Sequence, residues 1–175
     1  MSLGYLLASL PMLDMQRAPA ISIDAFISAC ESALSASDAE ALALIARGAT
    51  TPSSHAAVVH WRQLEAAIDG AIGRRRLARR GAQTTATPPE TTLCPVWLMR
   101  AVDAAFEGAT DPLAREEALM RVRWMAAEDM AGFDPLAKMQ IFAYAAKLRL
   151  ATRKATRDAV LGAQRLEEAL PKQSL

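Results

Sequence analysis

The stretch from Pro135 to Pro171 contains no proline between its ends, so no obligatory helix breaker interrupts it. A helix of roughly 30 residues, about 45 Å long at a rise of 1.5 Å per residue, is predicted there. Through Leu150 it is apolar around most of its circumference, and a helix of that kind must be enclosed by other helices. Beyond Thr152 it becomes polar, and this half is expected to project from the bundle or to contact a partner.

Serine caps and glycine stops divide the first half of the chain into helices. Ser22 is a favourable N-cap and is followed by apolar residues at helical spacing. Ser37 and Glu40 have the spacing of a capping box, and Gly48 supplies the stop of this second, short helix. The helices predicted in this half span Ile23–Leu34, about Ser37 to Gly48, and His55–Arg80.

The sequence Asp-Pro-Leu-Ala occurs twice in the second half, beginning at Asp111 and at Asp134. Aspartate is a favourable N-cap, and proline is tolerated at the first helical position because an N–H there would have no helical partner. Both occurrences therefore predict helix starts, and an earlier helix is predicted from Val96 to Glu107. Because the sequences diverge directly after the shared residues, recurrent capping is indicated rather than a true repeat.

These elements predict an all-α fold, a bundle of about six helices with a long C-terminal helix. Alanine is abundant and aromatic residues make up only 5% of the chain, so small side chains must do much of the packing. A loop at 83–95, rich in threonine and proline, separates an N-terminal helical half, residues 1–82, from a C-terminal half, residues 96–175. With 175 residues in all, the two halves are expected to form one compact domain.

An apolar run, Gly4–Leu13, opens the chain. Spanning a bilayer takes about 20 apolar residues, and a secretory signal carries basic residues before its apolar segment, which are absent here. No direct membrane insertion is therefore expected, and the protein is predicted to be cytoplasmic. The run should be a short strand or helix that is ended by Pro11 and packs on the last helix, with Leu6, Leu7 and Leu10 largely inaccessible to water.

The sequence shows no recognisable catalytic, cofactor-binding or metal-binding constellation, so the protein is expected to be neither an enzyme nor a cofactor protein. His55 and His60 are five residues apart, which places them on different sides of one helix, unlike an i, i+4 metal pair. Adjacent acidic residues such as Glu116 and Glu117 face different directions and are interpreted as solvated charge. The two cysteines are expected to be reduced thiols.

Two basic clusters are the candidate partner-binding surfaces. A basic helix end can contact phosphates, a protein or a phospholipid surface, but cations in a last helical turn are also stabilised by the helix dipole and by water. A net charge of only +1, and the absence of aromatic residues between the arginines, argue against nucleic acid. The candidate residues are Arg74, Arg75, Arg76, Arg79 and Arg80 in the first cluster and Arg153, Lys154 and Arg157 in the second.

Five segments, taken in order along the chain, carry a family resemblance. They are Tyr5–Leu13, Ile21–Phe26, Trp61–Glu65, Arg121–Trp124 and Phe142–Leu150. Together they resemble an uncharacterised bacterial family that is encoded within V-type ATPase operons. The most specific pieces are YLLASLP near the start and FAYAAKLRL near the end.

The resemblance implies a small helical subunit or accessory protein of a bacterial V-type ATPase, peripheral to the inner membrane on its cytoplasmic side. Operons of this family commonly lack a recognisable gene for the subunit that connects the central axle to the membrane ring. By analogy, a coupling or stalk role in ion transport is expected. The expected partners are other ATPase subunits, and the resemblance is also compatible with a homo-oligomer. The alternative is a helical adaptor that binds nucleic acid or protein through the basic helix end at Arg74–Arg80.

Overall fold

The structure, a computed structural model, describes residues 2–79, 95–109 and 111–157, and within these ranges it contains seven helices and no strand. The helices are α1 (Leu3–Ser9), α2 (Ile23–Glu31), α3 (Ala36–Arg47), α4 (Ala56–Arg79), α5 (Val96–Gly108), α6 (Pro112–Ala131) and α7 (Met139–Ala155). The prediction of an all-α fold is confirmed. The helix beyond the six expected is α1, which the opening apolar run forms. Apart from Pro95, the predicted loop at 83–95 lies outside the described residues.

The caps predicted for the first helices account for two of the observed boundaries. The Ser22 hydroxyl accepts the N–H of Ala25 at 3.2 Å and begins α2, as predicted. Gly48 ends α3 in the left-handed region, with φ at 65°, which glycine adopts without steric cost. The long α4 also matches its predicted range to within a residue at either end.

The start of α3 differs from the prediction by two residues. Ser35, rather than Ser37, is the N-cap: its hydroxyl accepts the N–H of Asp38 at 3.2 Å and donates to the Asp38 carboxylate. This pair has the same spacing as the predicted capping box, so the local pattern supports either start. Tertiary contacts of Asp38 with His55 and Lys138 favour the earlier one.

The two Asp-Pro-Leu-Ala sequences fold differently, and the second predicted helix start is wrong. Asp111 accepts the N–H of Ala114 at 2.8 Å and begins α6 as predicted. Asp134 instead accepts the N–H of Leu136 at 2.9 Å, only two residues along the chain, which closes a turn. Helix α7 begins only at Met139. The same carboxylate can cap a helix or close a turn, so the local sequence does not separate the two outcomes.

Helix α7 packs against α2, α3 and α6. Its buried residues are Ile141, Phe142, Ala143, Ala145, Ala146, Leu148, Leu150 and Ala151, so the prediction that its first half is enclosed is confirmed. The predicted length of about 30 residues is not confirmed, because α7 has 17 residues. The N–H of Thr156 donates to the carbonyl of Thr152 and closes the last turn. The continuation predicted at 158–171 lies outside the described residues.

The opening run packs on α7 as predicted. Leu6 is 1% exposed, whereas Leu7 and Leu10 are only half-buried against the core, so the predicted burial is confirmed in full for Leu6 alone. The hydroxyl of Tyr144 donates to the carbonyl of Pro11 at 2.8 Å. This hydrogen bond ties the segment after α1 to the centre of the bundle.

Replacing Tyr144 with Phe should lower the free energy of unfolding by about 1 kcal/mol, because it removes a half-buried hydrogen bond and leaves the Pro11 carbonyl without that donor. Urea denaturation followed by circular dichroism measures the change. Tyr5→Phe is the matched control, since the Tyr5 side chain is largely exposed, and it should change stability by less than about 0.5 kcal/mol. Equal losses in the two variants would contradict the tether.

One hydrophobic cluster draws on both sequence halves, from Leu6 of α1 to Leu148 of α7. Buried alanines are frequent in it, which is consistent with the small-residue packing expected from composition. Cys30 is fully buried in this cluster, and burial raises the pKa of its thiol to about 12. None of the helices in the described ranges combines the length and the apolar character that crossing a bilayer requires.

Candidate functional site

The ends of α4 and α5 and the first turns of α6 surround a cleft of about 360 Å³. Its lining consists of Arg76, Arg79, Phe106, Pro112, Arg115, Glu116 and Leu119. We call it the basic cleft, because three of these residues are arginines and only one is acidic. Phe106 and Leu119 are buried and form its apolar floor.

Helix boundaries bring the lining residues together. Helix α4 reaches the cleft because nothing in its sequence ends it before Arg79, and α5 buries Phe106 on its apolar face. The cap at Asp111 begins α6 so that Arg115 and Glu116 lie in its first turns. The cleft also faces the N-terminal end of α6, where the helix dipole is positive.

Two guanidinium groups lie beside the ring of Phe106. The Cζ of Arg79 is 5.6 Å and that of Arg115 is 5.3 Å from the ring centroid, within the distance of cation–π contacts. Arg79 also donates to the carbonyl of Phe106 at 3.3 Å, and Arg115 donates to the carbonyl of Ala109 at 3.2 Å. The buried Nε of Arg115 has no hydrogen-bond partner among the described residues. Positive charge is thus concentrated around one aromatic ring.

The second predicted cluster, at the end of α7, is linked to this cleft through Glu116. Glu116 Oε1 accepts from Arg157 at 3.0 Å and from Arg153 at 3.4 Å. Lys154 lies 3.8 Å from Glu117 and donates to Gln16 at 3.2 Å. In the part of the chain that the structure describes, the polar end of α7 therefore packs on α6 rather than projecting. Glu116 and Glu117 are 37% and 39% exposed, in keeping with their interpretation as solvated charge, and both also form ion pairs at the end of α7.

The arginines of α4 divide into engaged and open groups. Arg75 donates to Asp103 and, at 2.7 Å, to Glu107, and these hydrogen bonds raise the pKa of Arg75. Arg74 and Arg76 form no ion pair with another described residue, and Arg80 lies outside the described ranges. Of this cluster, the cleft therefore receives Arg76 and Arg79.

Sequence reasoning did not identify Phe106, Arg115 and Glu116 as site residues. A local signal existed for Arg115 and Glu116, because both follow directly on the first Asp-Pro-Leu-Ala helix start. No local signal connects Glu116 to Arg157, which is 41 residues away along the chain. Their contact arises only from the packing of α7 on α6.

A buried polar cluster joins α3, α4 and the turn before α7. The side chain of Asp38, only 9% exposed, accepts from Lys138 at 2.8 Å and from Ser35, and its other oxygen lies 3.2 Å from Nε2 of His55. The hydrogen bonds from Lys138 and Ser35 lower the pKa of Asp38 to about 2, against the opposing effect of burial. Of the charged residues that the structure describes, Asp38 is the one that is buried.

The arrangement around Asp38 is suited to stability rather than to nucleophilic catalysis. The hydroxyl of Ser35 bonds to Asp38 and not to His55, so no serine–histidine nucleophile pair exists there. Nδ1 of His55 accepts the N–H of Ala57 at 3.3 Å, which assigns the proton of the neutral ring to Nε2, facing Asp38. His55 is thus a structural residue at the start of α4.

A second cleft, of about 410 Å³, lies between the end of α3, α4 and α7, and its charges are satisfied internally. Arg62 donates to the carbonyls of Ala49 and Thr51 at 2.9 and 2.6 Å. Arg149 lies 3.4 Å from Glu65, whose pKa burial raises. Because Arg149 is already paired with a carboxylate, whereas Arg76, Arg79 and Arg115 of the basic cleft form no ion pair with another described residue, we take the basic cleft as the better candidate.

Exposed apolar side chains form a separate surface at the other end of α6. Phe133 is fully exposed in the turn after this helix, Met12 is 94% exposed, and Leu136 is 66% exposed. Leu136 lies against Gly4 of α1, and Met12 lines a groove of about 300 Å³ with Pro135. We call Met12, Phe133 and Leu136 the apolar surface. Helix α6, whose 20 residues span about 30 Å, runs from the basic cleft at its start to this surface after its end.

The fold and the site define the class of protein only broadly, as an all-α bundle with a basic cleft at one end and an apolar surface at the other. Comparison with protein-family models, with curated proteins and with solved structures found no match. Within the described ranges, no group of three or more histidine, cysteine or acidic residues is placed to hold a metal ion.

Proposed function

We propose that this protein is a non-catalytic subunit or accessory protein of a bacterial V-type ATPase, with a coupling or stalk role in ion transport on the cytoplasmic face of the membrane. The sequence resemblance suggests the complex. The observation that carries the proposal within the structure is the pair of surfaces at the two ends of α6. A protein that joins two components of a machine needs two contact surfaces on a stiff body, and helix α6 connects the basic cleft to the apolar surface.

The chemistry of the two surfaces suits two different contacts. The basic cleft presents Arg76, Arg79 and Arg115 beside buried aromatic and aliphatic side chains. The apolar surface presents Phe133 and Leu136, and such exposed side chains favour burial against another protein. Between them, α6 packs on α4, α5 and α7, which makes it a stiff connection.

Affinity purification of the tagged protein from its native host should recover the catalytic and stalk subunits of the ATPase. Replacing Phe133 and Leu136 together with Ser should reduce that recovery several-fold, because it removes the apolar contact area. Met125→Ser is the matched control, since Met125 is a half-exposed apolar residue on α6 outside the apolar surface.

Recovery of the tagged protein without any ATPase subunit would overturn the proposed function. If the Phe133→Ser, Leu136→Ser double variant and Met125→Ser recover the ATPase subunits equally well, the apolar surface does not contact them. Thermal denaturation of each variant, followed by circular dichroism, shows whether a loss of recovery reflects unfolding.

A second candidate function is a helical adaptor that binds nucleic acid through the basic end of α4. The observation that favours it is the lack of an ion pair at Arg74 and Arg76 within the described chain. Against it, Arg75 is held by two acidic side chains of α5, Asp103 and Glu107. Their negative charge at this helix end would repel a phosphate backbone.

A further inference from the structure

We infer that the basic cleft binds a carboxylate-bearing segment of a partner protein, and that Glu116 occupies the neighbouring arginines until that partner arrives. The inference deepens the proposed function and rests on it in taking the partner to be a protein subunit. The partner segment would carry a glutamate or aspartate next to an apolar residue.

The cleft has the parts that such a segment requires. Arg79 and Arg115 are held in place, each by a hydrogen bond to a backbone carbonyl and by the ring of Phe106. Guanidinium groups that are fixed in this way lose little freedom on binding a carboxylate, and their planar donors match its two oxygens. Phe106 and Leu119 supply the apolar floor for a neighbouring side chain.

The two guanidinium groups beside the ring of Phe106 repel each other, and this repulsion favours binding of an anion. Arg79 and Arg115 both approach Phe106, so two positive charges lie beside one ring. A carboxylate bound beside the two guanidinium groups would offset this concentration of positive charge. The one acidic residue of the lining, Glu116, is directed to the end of α7 instead.

Glu116 can act as an internal competitor because its carboxylate is already shared. Its Oε1 accepts from both Arg153 and Arg157, and the three side chains are between 30% and 59% exposed. Ion pairs with this exposure contribute little stability, so a partner carboxylate can exchange with Glu116 at low cost. The arginines of α7 would then contact the partner, and both predicted basic clusters would belong to one site.

The size and the charge of the site favour protein carboxylates over a phosphate backbone. A nucleic acid presents a row of phosphates and needs cations along a groove. Here the neighbouring α5 carries Asp103 and Glu107 beside Arg75, and their negative charges would repel a second phosphate. A cleft of about 360 Å³ with an apolar floor accommodates one or two side chains.

The test is fluorescence anisotropy of the full-length protein with a fluorescein-labelled peptide that alternates glutamate and leucine. Arg79→Gln should weaken binding about tenfold, because it removes one charged hydrogen-bond donor. Glu116→Gln should strengthen binding about threefold, because it removes the internal competitor. Arg100→Gln is the matched control, since Arg100 is exposed on α5 and forms no ion pair with another described residue, and it should leave binding unchanged.

A merely structural role for Glu116 predicts the opposite sign, with weaker binding and a lower melting temperature in Glu116→Gln, and that result would overturn the inference. Equal binding of the corresponding glutamine–leucine peptide would do the same, because it would show that the carboxylates are not recognised. Tighter binding of a single-stranded oligonucleotide or of vesicles containing phosphatidylglycerol would assign the cleft to phosphate instead. If Arg79→Gln fails to fold, Arg76→Gln measures the same loss at an exposed position.

The outcome is distinguishable from that of the proposed function. If the variants change peptide binding as expected, but the affinity purification recovers no ATPase subunit, the cleft binds carboxylates and the proposed ATPase role is wrong. If ATPase subunits are recovered and their recovery is the same in Arg79→Gln and Glu116→Gln, the proposed ATPase role stands and the inference about the cleft is wrong.

Discussion

Replacing Asp38 with Ala is expected to lower the free energy of unfolding by about 3 kcal/mol. The carboxylate joins α3 to His55 at the start of α4 and to Lys138 just before α7, so its loss releases three elements at once. It also removes the acceptor of the Ser35 hydroxyl at the N-cap of α3. Because Lys138 is about half exposed and can be hydrated, the loss should lie at the lower end of the range for broken buried ion pairs.

The pKa of Asp38 adds a dependence on pH that can be measured separately. The pKa is lowered from 3.8 to about 2 in the folded protein, chiefly by hydrogen bonds from Lys138 and Ser35. The resulting stabilisation is fully present above the unfolded pKa and is lost as pH falls through the folded one. Between about pH 4 and pH 2, the free energy of unfolding should fall by about 2 kcal/mol on account of this group.

Asp38→Asn distinguishes this contribution from general acid denaturation. The amide keeps the shape but does not titrate, so the variant should be less stable at pH 7 and should lose less stability than the parent on acidification. Asp24→Asn is the matched control, because Asp24 forms an exposed ion pair with Arg47 and should contribute less than about 1 kcal/mol. Urea denaturation at several pH values measures both variants. Parallel pH profiles of the parent and Asp38→Asn would contradict the assignment.

Replacing Gly48 with Ala is also expected to cost about 3 kcal/mol, for two separable reasons. The left-handed backbone at Gly48, with φ at 65°, disfavours any Cβ by roughly 1 to 2 kcal/mol. The added Cβ would also collide with the guanidinium of Arg149, which lies across this glycine. Displacing Arg149 leaves the half-buried Glu65 carboxylate without this partner, which adds roughly 1 to 2 kcal/mol.

A double-mutant cycle with Arg149→Ala separates the two reasons. In that background the collision is absent, and Gly48→Ala should cost only the backbone part. Gly73→Ala is the matched control: Gly73 lies inside α4 with no atom near the position of its Cβ, so alanine should stabilise the helix by about 0.5 to 1 kcal/mol. If Gly48→Ala costs as much without Arg149 as with it, the guanidinium contributes nothing to the effect.

Local patterns in the sequence determined much of the fold. The Ser22 cap, the Gly48 stop and the Asp111 start follow from hydrogen bonds between residues close along the chain, and each was predicted. The enclosure of α7 also followed from composition, because an apolar helix surface has no stable position in water. These features do not depend on how the helices are arranged.

Local patterns did not decide between two nearly equivalent starts. Ser35 and Ser37 both precede an acidic residue at capping-box spacing, and the contacts of Asp38 with distant residues selected the first. Asp134 repeats the start signal of Asp111 yet closes a turn. Local free energies differ little between such alternatives, so a few tertiary contacts are enough to choose.

The sequence indicated only part of the candidate site. Both basic clusters could be recognised from charge, but the link between them through Glu116 could not, because it depends on how α7 packs on α6. The order of residues alone indicated that arginines would gather at two helix ends. The packing of α7 on α6 brings Arg157 to Glu116 at the cleft that Arg79 and Arg115 line, since ion pairs form between side chains that packing of the apolar helix faces brings together.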